Sequence, residues 1–191
     1  EPVVVDGVMY LSTAWSKVYA LDAATGRMLW RFDPQVSGLA GAQGCCDVVN
    51  RGVAVYGGRV FVAALDGRLI ALDASDGRVV WSVPTFAAGG PYTITAAPRV
   101  VKNKVIIGNA GGEFGARGYV SAYDIADGRM AWRFYLVPGD PAKGPDGAAS
   151  DDVLARLASP TWHGDWYRYG GGGNAWNTIA YDAELNQLLI G

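Results

Sequence analysis

The chain has 191 residues, enough for one domain with a hydrophobic core. Its 16 basic and 18 acidic residues give a net charge of −2, which indicates neither a nucleic-acid-binding protein nor a polyanionic tail. No apolar run reaches the roughly 18 residues needed to cross a bilayer, so we expect no membrane span. Half of the residues are hydrophobic and 27 are glycine, a composition that favours short strands joined by tight turns.

Three similar segments along the chain each end in a tryptophan. Each one is predicted to form a strand, a turn closed by glycine and a second strand, which together make a β-hairpin. The tryptophans are 51 residues apart. The segments are ALDAATGRMLW (20–30), ALDASDGRVVW (71–81) and AYDIADGRMAW (122–132).

A second hairpin precedes each of these segments, so every repeat contains four strands. A period of about 50 residues with four strands is typical of a β-propeller blade, which must stack on its neighbours to bury both faces. We predict an all-β propeller domain over 1–191, with blades at approximately 1–33, 52–83, 97–136 and 175–191. These three and a half blades do not close a ring, so we expect either a larger ring or self-association through uncovered blade faces.

The residues that recur with the blade period are interpreted as structural. The aspartates at equivalent turn positions can accept hydrogen bonds from nearby backbone N–H groups. The tryptophans can wedge between adjacent blades with the indole N–H satisfied. These residues are Asp22, Asp73, Asp124, Trp30, Trp81 and Trp132.

Three segments interrupt the repeat, and we expect the chemistry there. They are residues 33–52, the insertion 108–118 and the long segment 136–174. Because consecutive strands are antiparallel, the insertion and all blade-to-blade connections emerge at the same end of the blades. We therefore predict one loop-rich face that carries the binding site. In the last segment, Ser150 followed by two aspartates predicts a short capped helix.

Cys45 and Cys46 are the only cysteines, and they are adjacent. Neighbouring Cα atoms lie about 3.8 Å apart, below the usual separation in a disulfide. The residues alone allow either a strained eight-membered disulfide ring or a pair of buried thiols. The position of the pair on the predicted loop-rich face, shortly before Arg51, favours the first.

Four motifs carry a resemblance to a known family: GCCDVVNRG (44–52), TITAAP (93–98), GNAGGEFGARGY (108–119) and GGGGNAW (170–176). They closely resemble pyrroloquinoline quinone (PQQ)-dependent alcohol dehydrogenases of the quinohaemoprotein type, and the resemblance runs from Glu1 to Gly191. It implies an eight-bladed propeller whose tryptophan hairpins interlock the blades, with PQQ and calcium on the axis. This chain would supply blades one to about four.

The resemblance also implies which residues hold the quinone. Cys45 and Cys46 would form a vicinal disulfide over one face of the ring, and the indole of Trp176 would stack on the other. The quinone carboxylates and carbonyls would be held by Arg51, Thr95, Gly111 and Gly112.

Glu113 would be a calcium ligand. Calcium takes several oxygen ligands, so the quinone and further protein would supply the others, including an asparagine shortly after Gly191. The aspartate that accepts the alcohol proton in the family also lies beyond Gly191, so we assign no catalytic residue within the chain. Glu1 stands close to the family's quinone-binding glutamate but out of register, and we leave it unassigned.

The implied activity is the oxidation of small alcohols to aldehydes, with electrons passing to a cytochrome c domain or protein. Haem c would then belong to the full-length protein, and a vicinal disulfide would suit the periplasm. The alternative is a non-catalytic propeller scaffold for protein–protein interaction or assembly, which the repeats alone would allow. Cys45, Cys46, Glu113 and Trp176 together favour the enzyme.

Overall fold

The computed structural model describes all residues from 1 to 191 and consists mainly of antiparallel sheets. Three sheets have four strands and one has two, and within each sheet the spatial order follows the chain. This arrangement confirms the predicted repeat of four up-and-down strands.

The first sheet contains β1 (Val3–Val5), β2 (Val8–Ser12), β3 (Val18–Asp22) and β4 (Met28–Phe32). The second contains β5 (Ala54–Tyr56), β6 (Arg59–Ala63), β7 (Arg68–Asp73) and β8 (Val79–Pro84). The third contains β9 (Arg99–Val101), β10 (Lys104–Gly108), β11 (Tyr119–Asp124) and β12 (Met130–Tyr135). The two-stranded sheet contains β13 (Ile179–Asp182) and β14 (Gln187–Ile190).

The hydrophobic core lies between neighbouring sheets. Val18 and Trp30 of the first sheet share one buried cluster with Val60 and Ile70 of the second. A second cluster joins the second sheet to the third, and a third cluster joins the third sheet to β13. Each sheet thus buries its faces against the next, as stacked blades must.

Two of the recurring tryptophans join adjacent sheets, as predicted. The Trp30 indole N–H donates to the Ala74 carbonyl oxygen at 2.9 Å, and the Trp81 indole N–H donates to the Ile125 carbonyl oxygen at 3.1 Å. Trp132 makes no such bond, because the neighbouring sheet has only the two strands β13 and β14 and no counterpart of the turn that carries Ala74 or Ile125.

The recurring aspartates close the outer turns of their sheets, also as predicted. Asp22 accepts hydrogen bonds from the Thr25 N–H and hydroxyl, both at 2.8 Å. These two bonds are the main reason that the pKa of Asp22 is lowered. Asp22 also accepts the N–H of the residue two positions later, Ala24, and Asp73 and Asp124 accept the N–H at the equivalent position of their own turns.

Gly77 provides a test of the contact between the first two sheets. Its φ is +75°, and a Cβ built there would lie 2.6 Å from Trp30 Cε3. Gly77→Ala should lower the free energy of unfolding by about 2–4 kcal/mol, because left-handed strain adds to overpacking. Gly58 has φ +71° with nothing within 4 Å, so Gly58→Ala should cost only about 1 kcal/mol. Equal losses in denaturant unfolding would show that the Trp30 contact is not tight.

The segment between β12 and β13 folds over the outer edge of the third sheet. It contains the helical turn α2 (Asp151–Val153), which continues as a π-helical turn over Leu154–Ala158. The prediction that Ser150 caps this helix is wrong: its buried hydroxyl instead accepts the Tyr135 N–H at 3.0 Å. The Ser150 hydroxyl therefore binds an N–H of the edge strand β12 and not an N–H in the first turn of the helix.

The remaining helical segments are short. None of the helices has the length and apolar character needed to cross a bilayer. These remaining segments are α1 (Gly38–Ala42) and the 3-10 turns Ala14–Ser16, Gly112–Phe114, Pro141–Lys143, Ser159–Thr161 and Trp166–Tyr169.

Candidate functional site

The three segments that interrupt the repeat meet at one end of the sheets, as their strand positions predict. Thr93, before β9, pairs with Ala110 in the insertion, and the Ala110 N–H donates to the Thr93 carbonyl oxygen at 2.8 Å. Gly118 at the other end of the insertion donates its N–H to the Gly172 carbonyl oxygen at 2.8 Å. These backbone bonds hold the insertion between the preceding connection and the glycine-rich run 170–173.

A cavity of about 280 Å³ lies where these segments meet. Its volume is near the lower end of the roughly 300–1,000 Å³ range of small-molecule sites. All eight residues that we predicted for the quinone and the metal line this cavity, although they span positions 45 to 176. The complete lining is Cys45, Cys46, Arg51, Thr95, Ala110, Gly111, Gly112, Glu113, Gly173, Asn174 and Trp176.

The cysteine pair forms one wall of the cavity. Both cysteines are exposed free thiols with their sulfur atoms 2.7 Å apart, a longer separation than the roughly 2.05 Å of a disulfide bond. The hydrogen bond with Cys46 is the largest cause, ahead of burial and the negative charge of Glu113, of a Cys45 pKa raised to about 11. Because the two sulfur atoms are not bonded here, the predicted disulfide stays a prediction. The raised pKa means that the reduced Cys45 is a protonated thiol at neutral pH.

Arg51 and Trp176 form a second part of the lining. The Arg51 guanidinium carbon lies 4.9 Å from the centroid of the Trp176 ring, within cation–π range. The Arg51 backbone N–H donates to the Thr95 carbonyl oxygen at 3.0 Å. This bond fixes the main chain from which the Arg51 side chain extends. The Trp176 side chain is 45% exposed, so it offers an aromatic surface to a planar group.

Gly111 and Gly112 bring bare backbone to the cavity. Gly111 has φ +99°, and a Cβ there would lie 2.1 Å from the Pro91 carbonyl oxygen. A Cβ on Gly112 would lie 2.1 Å from Oδ1 of Asn174. Side chains are thus excluded at both positions, which leaves peptide groups as the hydrogen-bonding surface.

Asn174 is a lining residue that the sequence analysis missed. Its side-chain nitrogen is buried and has no hydrogen-bond partner. A buried donor of this kind is costly unless something accepts its bond, and an acceptor atom of a bound molecule would do so. The position within GGGGNAW, two residues before Trp176, was the signal that could have identified it.

Glu113 is the only carboxylate in the lining. No group of three or more His, Cys, Asp or Glu side chains gathers anywhere in residues 1–191 in a way that could hold a metal ion. Calcium requires six to eight oxygen ligands, so Glu113 can supply one part of a calcium site and not the whole. The cavity as a whole fits an anionic planar ring: it offers an arginine, free donors, an indole and a sulfur pair.

A larger cavity of about 620 Å³ lies under the segment 136–174. It contains the ion pair of Arg117 with Asp146, whose closest atoms are 2.8 Å apart. None of the residues predicted for the quinone or the metal lines it. We take the smaller cavity as the candidate site, although it is not the larger of the two. The reason is that all the residues predicted for the quinone and the metal line the smaller cavity.

The stacked four-stranded sheets and the cavity at their loop-rich end define a β-propeller with a candidate cofactor site. The family described as PQQ: glucose/ethanol/alcohol dehydrogenase, beta-propeller domain, matches residues 1–191. The chain therefore belongs to the PQQ-dependent alcohol dehydrogenase family, and the predicted all-β propeller is confirmed.

Among the proteins that this chain resembles are two quinohaemoprotein alcohol dehydrogenases and one methanol dehydrogenase. Quinohemoprotein alcohol dehydrogenase ADH IIB of Pseudomonas putida is 54% identical over 100% of this chain and 27% of its own length. The solved structure of ADHIIG from Pseudomonas putida HK5 is 55% identical over 99% of this chain and 27% of its own, with a TM-score of 0.92. A europium-containing methanol dehydrogenase is 37% identical over 98% and 34%, with a TM-score of 0.83. The chain thus spans only about a quarter to a third of these relatives.

Proposed function

We propose that the protein containing this chain oxidises alcohols to aldehydes with PQQ as cofactor, and that this chain supplies much of the quinone pocket. The observation that carries the proposal is the single cavity that unites Cys45, Cys46, Arg51, Glu113 and Trp176. A scaffold that binds only proteins has no need for a sulfur pair, a cation, a carboxylate and an indole around one small cavity.

The residues of the cavity would divide the work of binding. The Arg51 guanidinium would pair with a quinone carboxylate, and the backbone of Gly111 and Gly112 would approach the ring edge without obstruction. Trp176 would stack on one ring face, and the sulfur atoms of Cys45 and Cys46 would cover the other as a vicinal disulfide. The unpartnered Asn174 nitrogen would donate to a quinone oxygen.

When bound, PQQ would supply the two-electron acceptor for the hydride of the alcohol, and calcium would supply a cation that polarises the quinone carbonyl. Glu113 would contribute a carboxylate oxygen to that calcium, and its exposure leaves room for the further ligands that the ion needs. Thr95 is 4% exposed, so its part of the wall is already shielded from solvent before any molecule binds.

The wider context of the enzyme is also a proposal. Electrons would leave through a cytochrome c domain or protein. Haem c in the full-length protein would fit the name quinohemoprotein that the Pseudomonas putida relative carries. A vicinal disulfide persists outside the reducing cytosol, which supports a periplasmic location.

The test is reconstitution of the full-length protein. With PQQ and calcium added, the purified protein should oxidise a primary alcohol and reduce an artificial electron acceptor. The same protein without PQQ, or with calcium removed by a chelator, should show only background. A protein that binds neither PQQ nor calcium, and that has no activity with any small alcohol, would overturn the proposal.

A further inference from the structure

The turn between β2 and β3 has an unusual backbone. Trp15 and Ser16 both lie in the left-handed region, with φ of 64° and 57°. Neither is glycine, so this conformation persists only where surrounding contacts hold it. Ser16 is completely buried. Strand order places the turn between β2 and β3 at the end of the sheet where the blade-to-blade connections and the candidate site lie.

The Ser16 hydroxyl connects this turn to the connection that carries Arg51. Its oxygen accepts the Leu65 N–H at 3.1 Å and the Asn50 side-chain nitrogen at 3.3 Å. The same Asn50 nitrogen donates to the carbonyl oxygen at the end of β6 at 2.8 Å, and Asn50 Oδ1 accepts the Gly52 N–H at 3.1 Å. The main chain on both sides of Arg51 is therefore fixed by one amide that rests on Ser16.

Trp15 holds the same connection nearer to the cysteines. Its backbone N–H donates to the Val48 carbonyl oxygen at 2.9 Å, two residues beyond Cys46. Its indole packs against Gly41, where a Cβ would lie 2.9 Å from Cη2 of Trp15 and 3.1 Å from Cγ1 of Val48. Trp15 thus contacts the chain before the sulfur pair through its indole and after it through its backbone N–H.

We propose that Trp15 and Ser16 are positioning residues that set the orientation of residues 45–51 and so the placement of the sulfur pair and the Arg51 guanidinium. Neither residue lines the cavity, so both act through the loop and not on a bound molecule. The contacts explain why a strained turn of two non-glycine residues is kept at this end of the first sheet. The inference rests on the proposed quinone site.

The test compares variants of the full-length protein in PQQ binding, followed by quenching of tryptophan fluorescence. Ser16→Ala removes the acceptor of both hydrogen bonds and should raise the dissociation constant of PQQ at least about tenfold, the size of effect that the loss of an orienting hydrogen bond has at metal sites. The turnover rate at saturating PQQ should stay within about twofold, because the reacting groups are untouched. Thr13→Ala is the control, since its hydroxyl bonds only the adjacent Ala14 carbonyl at 3.4 Å.

Ser16→Gly separates positioning from stability. Glycine tolerates φ of 57° without strain, which should offset part of the cost of leaving the buried Leu65 N–H without an acceptor, so this variant should be more stable to unfolding than Ser16→Ala while still lacking the hydroxyl. We expect it to bind PQQ as weakly as Ser16→Ala. If the wild type binds PQQ and both Ser16 variants bind it like Thr13→Ala, the positioning role is wrong and the proposed function stands. If the wild type does not bind PQQ, the proposed function itself fails.

Discussion

Replacement of Glu113 by glutamine in the full-length protein is expected to lower kcat/KM for alcohols on the order of 10³-fold, because a polarising cation contributes several kcal/mol to such a transition state. The amide keeps the size of the side chain and one carbonyl oxygen but removes the negative charge. Glu113 is the only carboxylate among the lining residues, so no neighbour within this chain can replace it. The apparent dissociation constant for calcium, measured by titration against a chelator, should rise in parallel.

Glu184→Gln is the matched control. Glu184 lies exposed in the turn between β13 and β14, outside the cavity, and the chemical change is identical. This variant should keep full activity and calcium affinity. A Glu113→Gln enzyme with wild-type calcium affinity would show that the metal is held elsewhere, even if activity fell.

The second large effect is expected for Trp30→Ala, which should lower the free energy of unfolding by about 3–5 kcal/mol. The indole is 8% exposed and fills the space between the first two sheets. Its removal leaves a cavity and deprives the Ala74 carbonyl of the donor at 2.9 Å. Denaturant unfolding followed by circular dichroism measures the loss.

Two further variants make the interpretation specific. Trp30→Phe keeps an aromatic ring but no N–H, so it should be destabilised by roughly half as much. Met28 lies on the same strand with 52% exposure, and Met28→Ala should stay within about 0.5 kcal/mol of the wild type. A Trp30→Ala protein as stable as Met28→Ala would contradict the role of the indole in joining the blades.

Much of the fold can be predicted from the sequence because the same turn and tryptophan residues recur in each of the first three blades. The hairpin predicted ahead of the first tryptophan segment forms from β1 and β2, and its turn at Asp6 and Gly7 adopts positive φ at both positions, as a type I′ turn requires. The roles of Asp22 and Trp30 were predictable for the same reason, since each recurs with the blade period.

The candidate site was predictable only where a motif stood out from the repeat. Strand parity places Cys45, Glu113 and Trp176 at one end, and resemblance supplies their roles. Sequence does not predict the role of Asn174, because the burial of its side-chain nitrogen and the approach of its Oδ1 to Gly112 depend on tertiary packing that no spacing rule specifies. The predicted cap at Ser150 is wrong because the sequence does not show that the edge strand β12 would compete for the Ser150 hydroxyl.

The cavity lining comes from four separate connections: the link before the second sheet, the link before the third, the insertion within the third and the link before the last. A molecule held there would tie together neighbouring blades that otherwise touch mainly through side chains between sheets. Its binding energy would then add to the cohesion of the ring, by an amount that grows with the logarithm of its concentration. Cofactor loading and resistance of the propeller to unfolding would thus be one linked equilibrium.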